Sequence, residues 1–488
     1  MKLFISMTEI SLLLLGSLYI PAFSQIRFIE HTIDYNTRGT GGIHTCDIDG
    51  DGDIDVLGAG LEDNRIFYWR NSGTDPISWT RYTIGSNVGS AHSVYAADID
   101  LDGTLDVIGA AYTGTPGIAW WRNDGGNPID WRKYTVAYDF INAHEIYAHD
   151  LDRDGDIDIL GASSDLNTIS WWRNDRGDPL IWTEQTISDD VTLAKSVHVG
   201  DFDNDGDWDI VGAAITAHDV IWWRNDGGDP IQWTEFLIDS YFLGAHRVQA
   251  IDLDKDGDDD ILGAGYLGNQ VAWWRNDGGD PVEWTRQNIG TGLVNACVAS
   301  AGDIDGDNDY DVVVTAQGIN EISWFENRGG DPIEWRKFVI TDDFVRPWPL
   351  SLYDIDNDGD IDLVSGSSHQ GSERVSWWEN QGPYSIGEET GKPRFHVSIS
   401  NYPNPFRYHT MFSLSSDLEG SLNSRSISVF DVSGRYVITV YPDESLSEEL
   451  RITWDGRDNR GNPVGPGVYY YKLNDTHQRI GGRMVLVP

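Results

Sequence analysis

Seven stretches of the chain carry aspartates at a spacing that could hold a metal ion. The pattern D-x-D-x-D-G-x-x-D starts at Asp47, Asp98, Asp150, Asp201, Asp252, Asp303 and Asp354. The candidate ligands are positions 1, 3, 5 and 9 of each loop. They are Asp47, Asp49, Asp51 and Asp55; Asp98, Asp100, Asp102 and Asp106; and Asp150, Asp152, Asp154 and Asp158. Then follow Asp201, Asp203, Asp205 and Asp209; Asp252, Asp254, Asp256 and Asp260; Asp303, Asp305, Asp307 and Asp311; and Asp354, Asp356, Asp358 and Asp362. Position 6 is Gly in six loops and Asn308 in the other, the residue types that best tolerate positive φ. A tight turn there gathers the four side chains around one point. Hard carboxylate oxygens on an irregular loop suit Ca²⁺, which accepts six to eight oxygens in flexible geometry, whereas Mg²⁺ is more demanding. Position 7 is Asp in six loops but Thr104 in the second, so a ligand there would be the backbone carbonyl. An EF-hand requires Glu at its twelfth position. Here that position holds Gly58, Gly109, Gly161, Gly212, Gly263, Val314 and Ser365.

Six residues before each loop stand Gly41, His92, His144, Lys195, His246, Cys297 and Trp348. If the loops cap one face, these residues begin the innermost strands at the opposite face. His92, His144, Lys195, His246 and Trp348 are the candidate ligand-binding residues. Three imidazoles and one ammonium could bind an anionic sugar or a transition metal, or supply a general base. The plainer reading is that each fills a channel-lining position and hydrogen-bonds locally. No nucleophile motif, phosphate-binding loop or zinc spacing stands out elsewhere. Carboxylate pairs suited to glycoside hydrolysis cannot be singled out among so many aspartates. No catalytic residue is assigned, and the sequence does not demonstrate catalysis.

These residues must be positioned by a repeated unit. The loops recur at steps of 51, 52, 51, 51, 51 and 51 residues, the signature of a closed or stacked array. Each unit holds four short runs separated by turn signals, with no helical periodicity. Examples are Ser93-Val94-Tyr95-Ala96-Ala97 before a loop and Ile157-Asp158-Ile159-Leu160-Gly161 after one. Ile221-Trp222-Trp223-Arg224-Asn225 and Trp233-Thr234-Glu235-Phe236-Leu237-Ile238 represent the last two. Four strands repeated seven times predict an all-β, seven-bladed β-propeller. The last repeat stops after Trp377-Trp378-Glu379-Asn380, and its missing strand appears as Phe28-Ile29-Glu30-His31-Thr32-Ile33. Residues 26–34 are therefore expected to complete the last blade and remove an open edge. The Trp-Trp pairs alternate across a strand, so one ring is expected between blades and its neighbour on the other side of the sheet. Sugar stacking by an exposed subset is the functional alternative.

Composition bounds the partners. The chain has 488 residues, 34 Lys and Arg against 79 Asp and Glu, and a formal charge of −45. That sign disfavours nucleic acid and anionic membranes, while 12% aromatic residues suit a folded core. Residues 1–24 read as a secretory signal: Lys2, an apolar run from Ile10 to Ile20, and Ala22-Phe23-Ser24 before the cut. A membrane anchor is the alternative there, although the run is short for a span. No later segment is long and apolar enough to form a transmembrane span. Cys46 and Cys297 sit at different repeat positions and read as buried thiols rather than a pair. The repeats end at Pro383; 384–394 reads as a polar linker, and 395–488 alternates like a small β-sandwich.

At 25–383 the repeats resemble the FG-GAP/VCBS family, calcium-loop propellers related to the head of integrin α-chains. The resemblance implies Ca²⁺ in the hairpin between the first and second strands of each blade, with the first strand innermost. All seven loops are complete, so about seven structural sites are expected. Tyr402-Pro403-Asn404-Pro405-Phe406, Val429-Phe430-Asp431-Val432-Ser433-Gly434-Arg435 and Trp454-Asp455-Gly456 resemble the C-terminal sorting domain of type IX secretion cargo. So do Gly467-Val468-Tyr469-Tyr470-Tyr471 and Met484-Val485-Leu486-Val487. That likeness, to the FlgD-like immunoglobulin form, implies bacterial export machinery as a partner and a secreted or outer-surface location. An Ig-like spacer or adhesion domain is the alternative. The expected function is a non-catalytic binding or adhesion module for an extracellular glycan or protein. The runner-up is a lyase-like, polysaccharide-active enzyme using the His-lined mouth.

Overall fold

The computed structural model describes residues 24–114, 116–368, 374–385, 397–402, 406–407, 409–416, 426–431, 435–441, 450–474 and 481–487. The expected signal segment, most of the expected linker, Pro403-Asn404-Pro405 and Val432-Ser433-Gly434 lie outside the described residues. The chain divides into two compact units, Met1–Ile386 and Gly387–Pro488.

In the first unit the repeats form seven four-stranded antiparallel sheets. The fourth repeat shows why. Ala194–Gly200, Asp209–Ala214, Asp219–Asn225 and Trp233–Asp239 pair in sequence order. The second strand, Asp-Ile-Val-Gly-Ala-Ala, is buried throughout and is small or β-branched, as a strand covered on both faces must be. The outermost strand alternates between partly and fully exposed residues, because only its inner face has a neighbour. Among the described residues the only helical element is a 3₁₀ turn at Gln317–Ile319.

The innermost strands are Thr40–Cys46, Ala91–Ala97, Ala143–His149, Ala194–Gly200, Ala245–Ile251, Ala296–Gly302 and Pro347–Tyr353. Each lies against the next, and the seventh lies against the first. Thr45 Oγ1 sits 2.9 Å from Ser351 Oγ across that last junction. Seven apolar clusters fill the seven gaps between neighbouring sheets. One of them joins Val56, Phe67 and Trp69 of the first repeat to Val364, Val375 and Trp377 of the last. This circular order of blade-like sheets fits a β-propeller.

Both rings of each Trp pair serve these cores. Trp222 packs toward the fifth repeat and Trp223 toward the third, each about 1% exposed. Each buried ring contributes about 3–5 kcal/mol on the large-to-small scale. With both faces committed to neighbours, these Trp residues offer no surface for sugar stacking.

The N-terminal strand completes the last sheet. Ser24–Asp34 pairs antiparallel with Val375–Ser385, and Phe28 stands opposite Asn380. In the fourth repeat Trp233 stands opposite Asn225, the same register. Pairing of Ser24 with Ser385 and Gln25 with Tyr384 carries the strand beyond Pro383, into the first residues expected to be linker. Cys297 is buried, whereas Cys46 is only partly so, and both thiols are free. Cys46 lies at the loop end of its strand beside Asp47, and burial, then Asp55 and Asp47, pushes its thiol far up.

The second unit has a three-stranded and a four-stranded antiparallel sheet. The first comprises Val397–Tyr402, Thr410–Ser416 and Leu450–Trp454. The second comprises Tyr436–Val440, Ser426–Asp431, Gly467–Asn474 and Gly481–Leu486. Phe412, Ile452 and Trp454 of one sheet and Ile427, Val429, Tyr469 and Tyr471 of the other share one buried core.

Candidate functional site

The aspartate loops connect the first and second strands of every sheet. In the first loop Asp47 accepts the backbone N–H of Asp51 at 3.0 Å and that of Gly52 at 2.9 Å. Asp51 accepts that of Asp53 at 3.0 Å. Asp98 and Asp252 accept equivalent pairs in their loops. The turn needs two left-handed residues. Position 6 was expected: Gly52 has φ 92° and Asn308 φ 72°. Position 4 was not, yet Leu101, Arg153 and Lys255 adopt φ of 58°, 59° and 60° there.

This turn gathers carboxylate oxygens to within 4.8 Å of one another, in sets such as Asp47, Asp49 and Asp55, or Asp98, Asp100 and Asp102. Seven such groups occur among the described residues. Asp55 Oδ2, Asp100 Oδ1, Asp150 Oδ1, Asp254 Oδ1 and Asp303 Oδ1 are buried and accept no hydrogen bond. Orphaned carboxylate oxygens facing one another fit a hard cation. These loops could hold metal ions.

Position 9 plays a second part that its type alone did not reveal. Asp55, Asp106, Asp158, Asp209, Asp260, Asp311 and Asp362 are each 0% exposed. Asp106 accepts the Asn123 N–H at 2.8 Å on one oxygen and the Ile99 N–H at 3.3 Å on the other. Burial pushes these carboxyls up, to about 7 for Asp55, about 8 for Asp209 and about 9 for Asp362. Its partner Asn extends the contact between sheets. Asn123 Nδ2 donates to Leu105 O at 3.0 Å and to Ile48 O of the preceding loop at 3.3 Å. Asn71 Nδ2 reaches Ile355 O at 3.3 Å, so the last and first sheets are joined in the same way. The recurrence of Asn after the Trp pair was the available signal.

The loops also differ. Arg70 lies 2.6 Å from Asp49 and 2.8 Å from Asp51, and Arg122 lies 3.0 Å from Asp100. The sixth and seventh repeats carry Glu326 and Glu379 at this position. Burial, then Asp307, with Glu326 adding repulsion, pushes Asp305 up to about 6. Burial, then Asp358 and Glu379, pushes Asp356 up to about 7.

At the other end of the inner strands lies the predicted ring, each member second in its strand. Gly41, His92, His144, Lys195, His246 and Trp348 line a cavity of about 270 Å³. Cys297 does not: its thiol donates to Asn295 O at 3.2 Å, and burial pushes it up to about 12. His92 Nδ1 lies 3.1 Å from His144 O, and His246 Nδ1 lies 2.9 Å from Cys297 O. A carbonyl only accepts, so Nδ1 carries the proton in both rings. Burial, then Lys195, pulls both imidazoles down to about 3. They are therefore neutral, with Nε2 a bare acceptor. His144, held well below its usual range by burial and then His92, offers Nε2 to Lys195 Nζ. Burial lowers Lys195 to about 8. The Trp348 ring lies edge-on 4.9 Å from that of His92.

Two further residues enter this cavity without having been singled out by spacing. Glu145 and Arg247, on the third and fifth sheets, pair at 2.6 Å across the intervening one. Glu145 is pushed up by burial, with Arg247 opposing.

Comparison with known proteins agrees with the repeat. A model of the FG-GAP-like repeat matches residues 47–109, 150–212, 252–314 and 303–365. No curated protein matches the chain. Among solved structures, a crystal structure of BBS1N in complex with ARL6DN, soaked with lead, is similar at 10% identity. It covers 73% of this chain and 96% of that one, with a TM-score of 0.48. The mercury-soaked form of that complex is similar at 11% identity, covering 73% and 97%, again with a TM-score of 0.48.

Replacing Asn123 by Ala would strip the donor from the buried Ile48 and Leu105 carbonyls. The expected loss is about 1–3 kcal/mol of unfolding free energy, read as a lower urea midpoint at unchanged slope. An unchanged midpoint would refute the clamp.

Proposed function

We propose that this FG-GAP-repeat chain is an exported, calcium-stabilised seven-bladed β-propeller that binds an extracellular glycan or protein at its histidine-lined mouth. The observation that carries the reading is the contrast between the two ends of the inner strands. One end repeats the same carboxylate loop seven times. The other holds a cavity whose lining changes from sheet to sheet: Gly41, His92, His144, Lys195, His246, Trp348. Identical positions serve the scaffold, and varied positions in a cavity serve a ligand.

Calcium is the ion these donors suit, with positions 1, 3, 5 and 9 of each loop as its ligands. A carboxylate has about four lone-pair sites, so the backbone donors on position 9 leave room for a metal. The ion supplies charge compensation and pins the loop. A ligand that binds only the folded state at ten times its Kd adds about 1.4 kcal/mol. Seven sites would add on the order of 10 kcal/mol, comparable to the net stability of a domain. Addition of EDTA should therefore lower the melting temperature sharply, and restored Ca²⁺ should raise it again. A melting curve indifferent to both would sink the calcium assignment.

Export rests on the two ends of the sequence: 1–24 as signal peptide, and 395–488 as an Ig-like sorting domain on bacterial export machinery, leading to secretion or the outer cell surface. No helix among the described residues is long and apolar enough to cross a membrane. Fusing 395–488 to a periplasmic reporter in a type IX-competent host should send the reporter outside the cell. Retention in the periplasm would reduce the segment to a spacer or adhesion domain.

A glycan array, with and without calcium, tests the binding role. Calcium-dependent binding that is lost in the His92→Ala/His144→Ala/His246→Ala variant is expected. Equal binding by that variant would remove the mouth from consideration. A lyase-like role has one observation in its favour: Lys195, lowered to about 8 and resting on His144, is suited to take a proton near neutrality. Release of product from a bound polysaccharide would favour that role over the binding module.

A further inference from the structure

We propose that the mouth takes the end of an acidic glycan, with the carboxylate of one sugar ring turned toward Lys195 and Arg247 and its hydroxyls donating to His92 and His246. This rests on the reading of the mouth as a binding site and adds the chemical class of the ligand.

Size comes first. Pockets for small molecules usually run from about 300 to 1,000 Å³, and this cavity is about 270 Å³. It has room for a single ring or side group rather than for a polymer threaded through the channel. The ligand enters end-on.

Charge comes next. The chain carries −45 overall, yet two cations and one carboxylate, Lys195, Arg247 and Glu145, line the cavity. Glu145 is engaged, pairing with Arg247 at 2.6 Å and accepting the Val197 N–H at 3.2 Å. The side chain of Arg247 remains 44% exposed, so its fork is accessible for a second acceptor. Lys195 is partly buried and rests on His144 Nε2, a neutral acceptor that leaves its charge uncompensated. Asp165, the acid that acts on Lys195 through space, does not line the cavity. An incoming carboxylate would neutralise the ammonium.

The histidines decide between acidic ligands. His92 and His246 donate Nδ1–H to backbone carbonyls and so turn bare Nε2 acceptors to the cavity. They call for O–H donors near the anion. A peptide C-terminus offers one backbone N–H there, whereas a pyranose offers several hydroxyls. Trp348 supplies the apolar wall against which a ring can lie.

The test uses the calcium-loaded mature chain and calorimetry. The probes are trisaccharides ending in glucuronate, galacturonate, mannuronate or sialic acid, each beside its carboxyl-reduced counterpart. At least one acid should bind about tenfold or more tighter than its reduced form, the worth of a charge-assisted hydrogen bond. Lys195→Met should abolish that preference, and Arg247→Gln, at a more exposed site, should reduce it if Lys195→Met fails to fold. Equal affinity for acid and reduced forms would overturn acid recognition while leaving the mouth a binding site. Binding that survives His92→Ala/His246→Ala unchanged would move the site elsewhere and overturn both readings. Failure of every probe to bind would likewise overturn the acidic-glycan assignment.

Discussion

A carboxylate buried without a counter-charge is the constraint around which this ring is organised. Asp at position 9 begins the second strand of every propeller sheet, fully buried; six of the seven have both oxygens held by backbone N–H groups, and Asp55 has one. Two neutral donors do not replace the hydration of a full negative charge, hence the upward push to between about 7 and about 9. A cation among positions 1, 3 and 5 would supply what the backbone lacks. Folding of the strand pair and binding of a hard ion are on this view one event. In five sheets the Asn that donates to the carboxylate also donates to the preceding loop, so there the state of one loop bears on the next.

That linkage explains how apolar packing and polar stitching share the work. The inter-blade cores are non-directional: Trp222 and Trp223 bury area against whichever neighbours fit. Register comes from the Asn side chains: all seven reach a carbonyl in their own loop, and five of them also reach one in the preceding loop. The last sheet needs the same register although its outer strand comes from the other end of the chain. Phe28 opposite Asn380 provides it.

The fold was legible because it is repetitive. A step of 51 residues, strand-length runs and a split final repeat sufficed for the number of sheets, their strand order and the role of Ser24–Asp34. The gathering of the loop aspartates was legible for the same reason. What spacing could not reveal are relations that depend on the closed ring. Glu145 and Arg247 are about a hundred residues apart and meet only because their strands are two sheets apart around one channel. Leu101 and Lys255 look like ordinary loop residues; their left-handed backbone is imposed by the aspartates on either side. Cys297 occupies a ring position by count, yet its thiol donates to Asn295 O and does not line the cavity. The exchange of Arg70 for Glu326 was visible but had no meaning until the third strand was seen to end beside the loop.

Symmetry and its breaking divide the labour between the two ends of the inner strands. At the loop end every repeat solves one electrostatic problem, and at five of the seven junctions a change in one copy would weaken its neighbour through the shared Asn. That end is therefore costly to vary. At the mouth end the second residue of each inner strand makes contacts of its own kind, Nδ1 of His92 to the next strand's carbonyl and Trp348 edge-on to the His92 ring. Those contacts hold the ring in place without requiring the same residue in the next sheet. A scaffold rigid at one end can then tolerate Gly, His, Lys, Cys and Trp at the other. Neutral imidazoles beside an ammonium are an expensive combination to bury, and packing alone would be better served by apolar side chains. Their presence on the innermost strands is what the proposed ligand site would require.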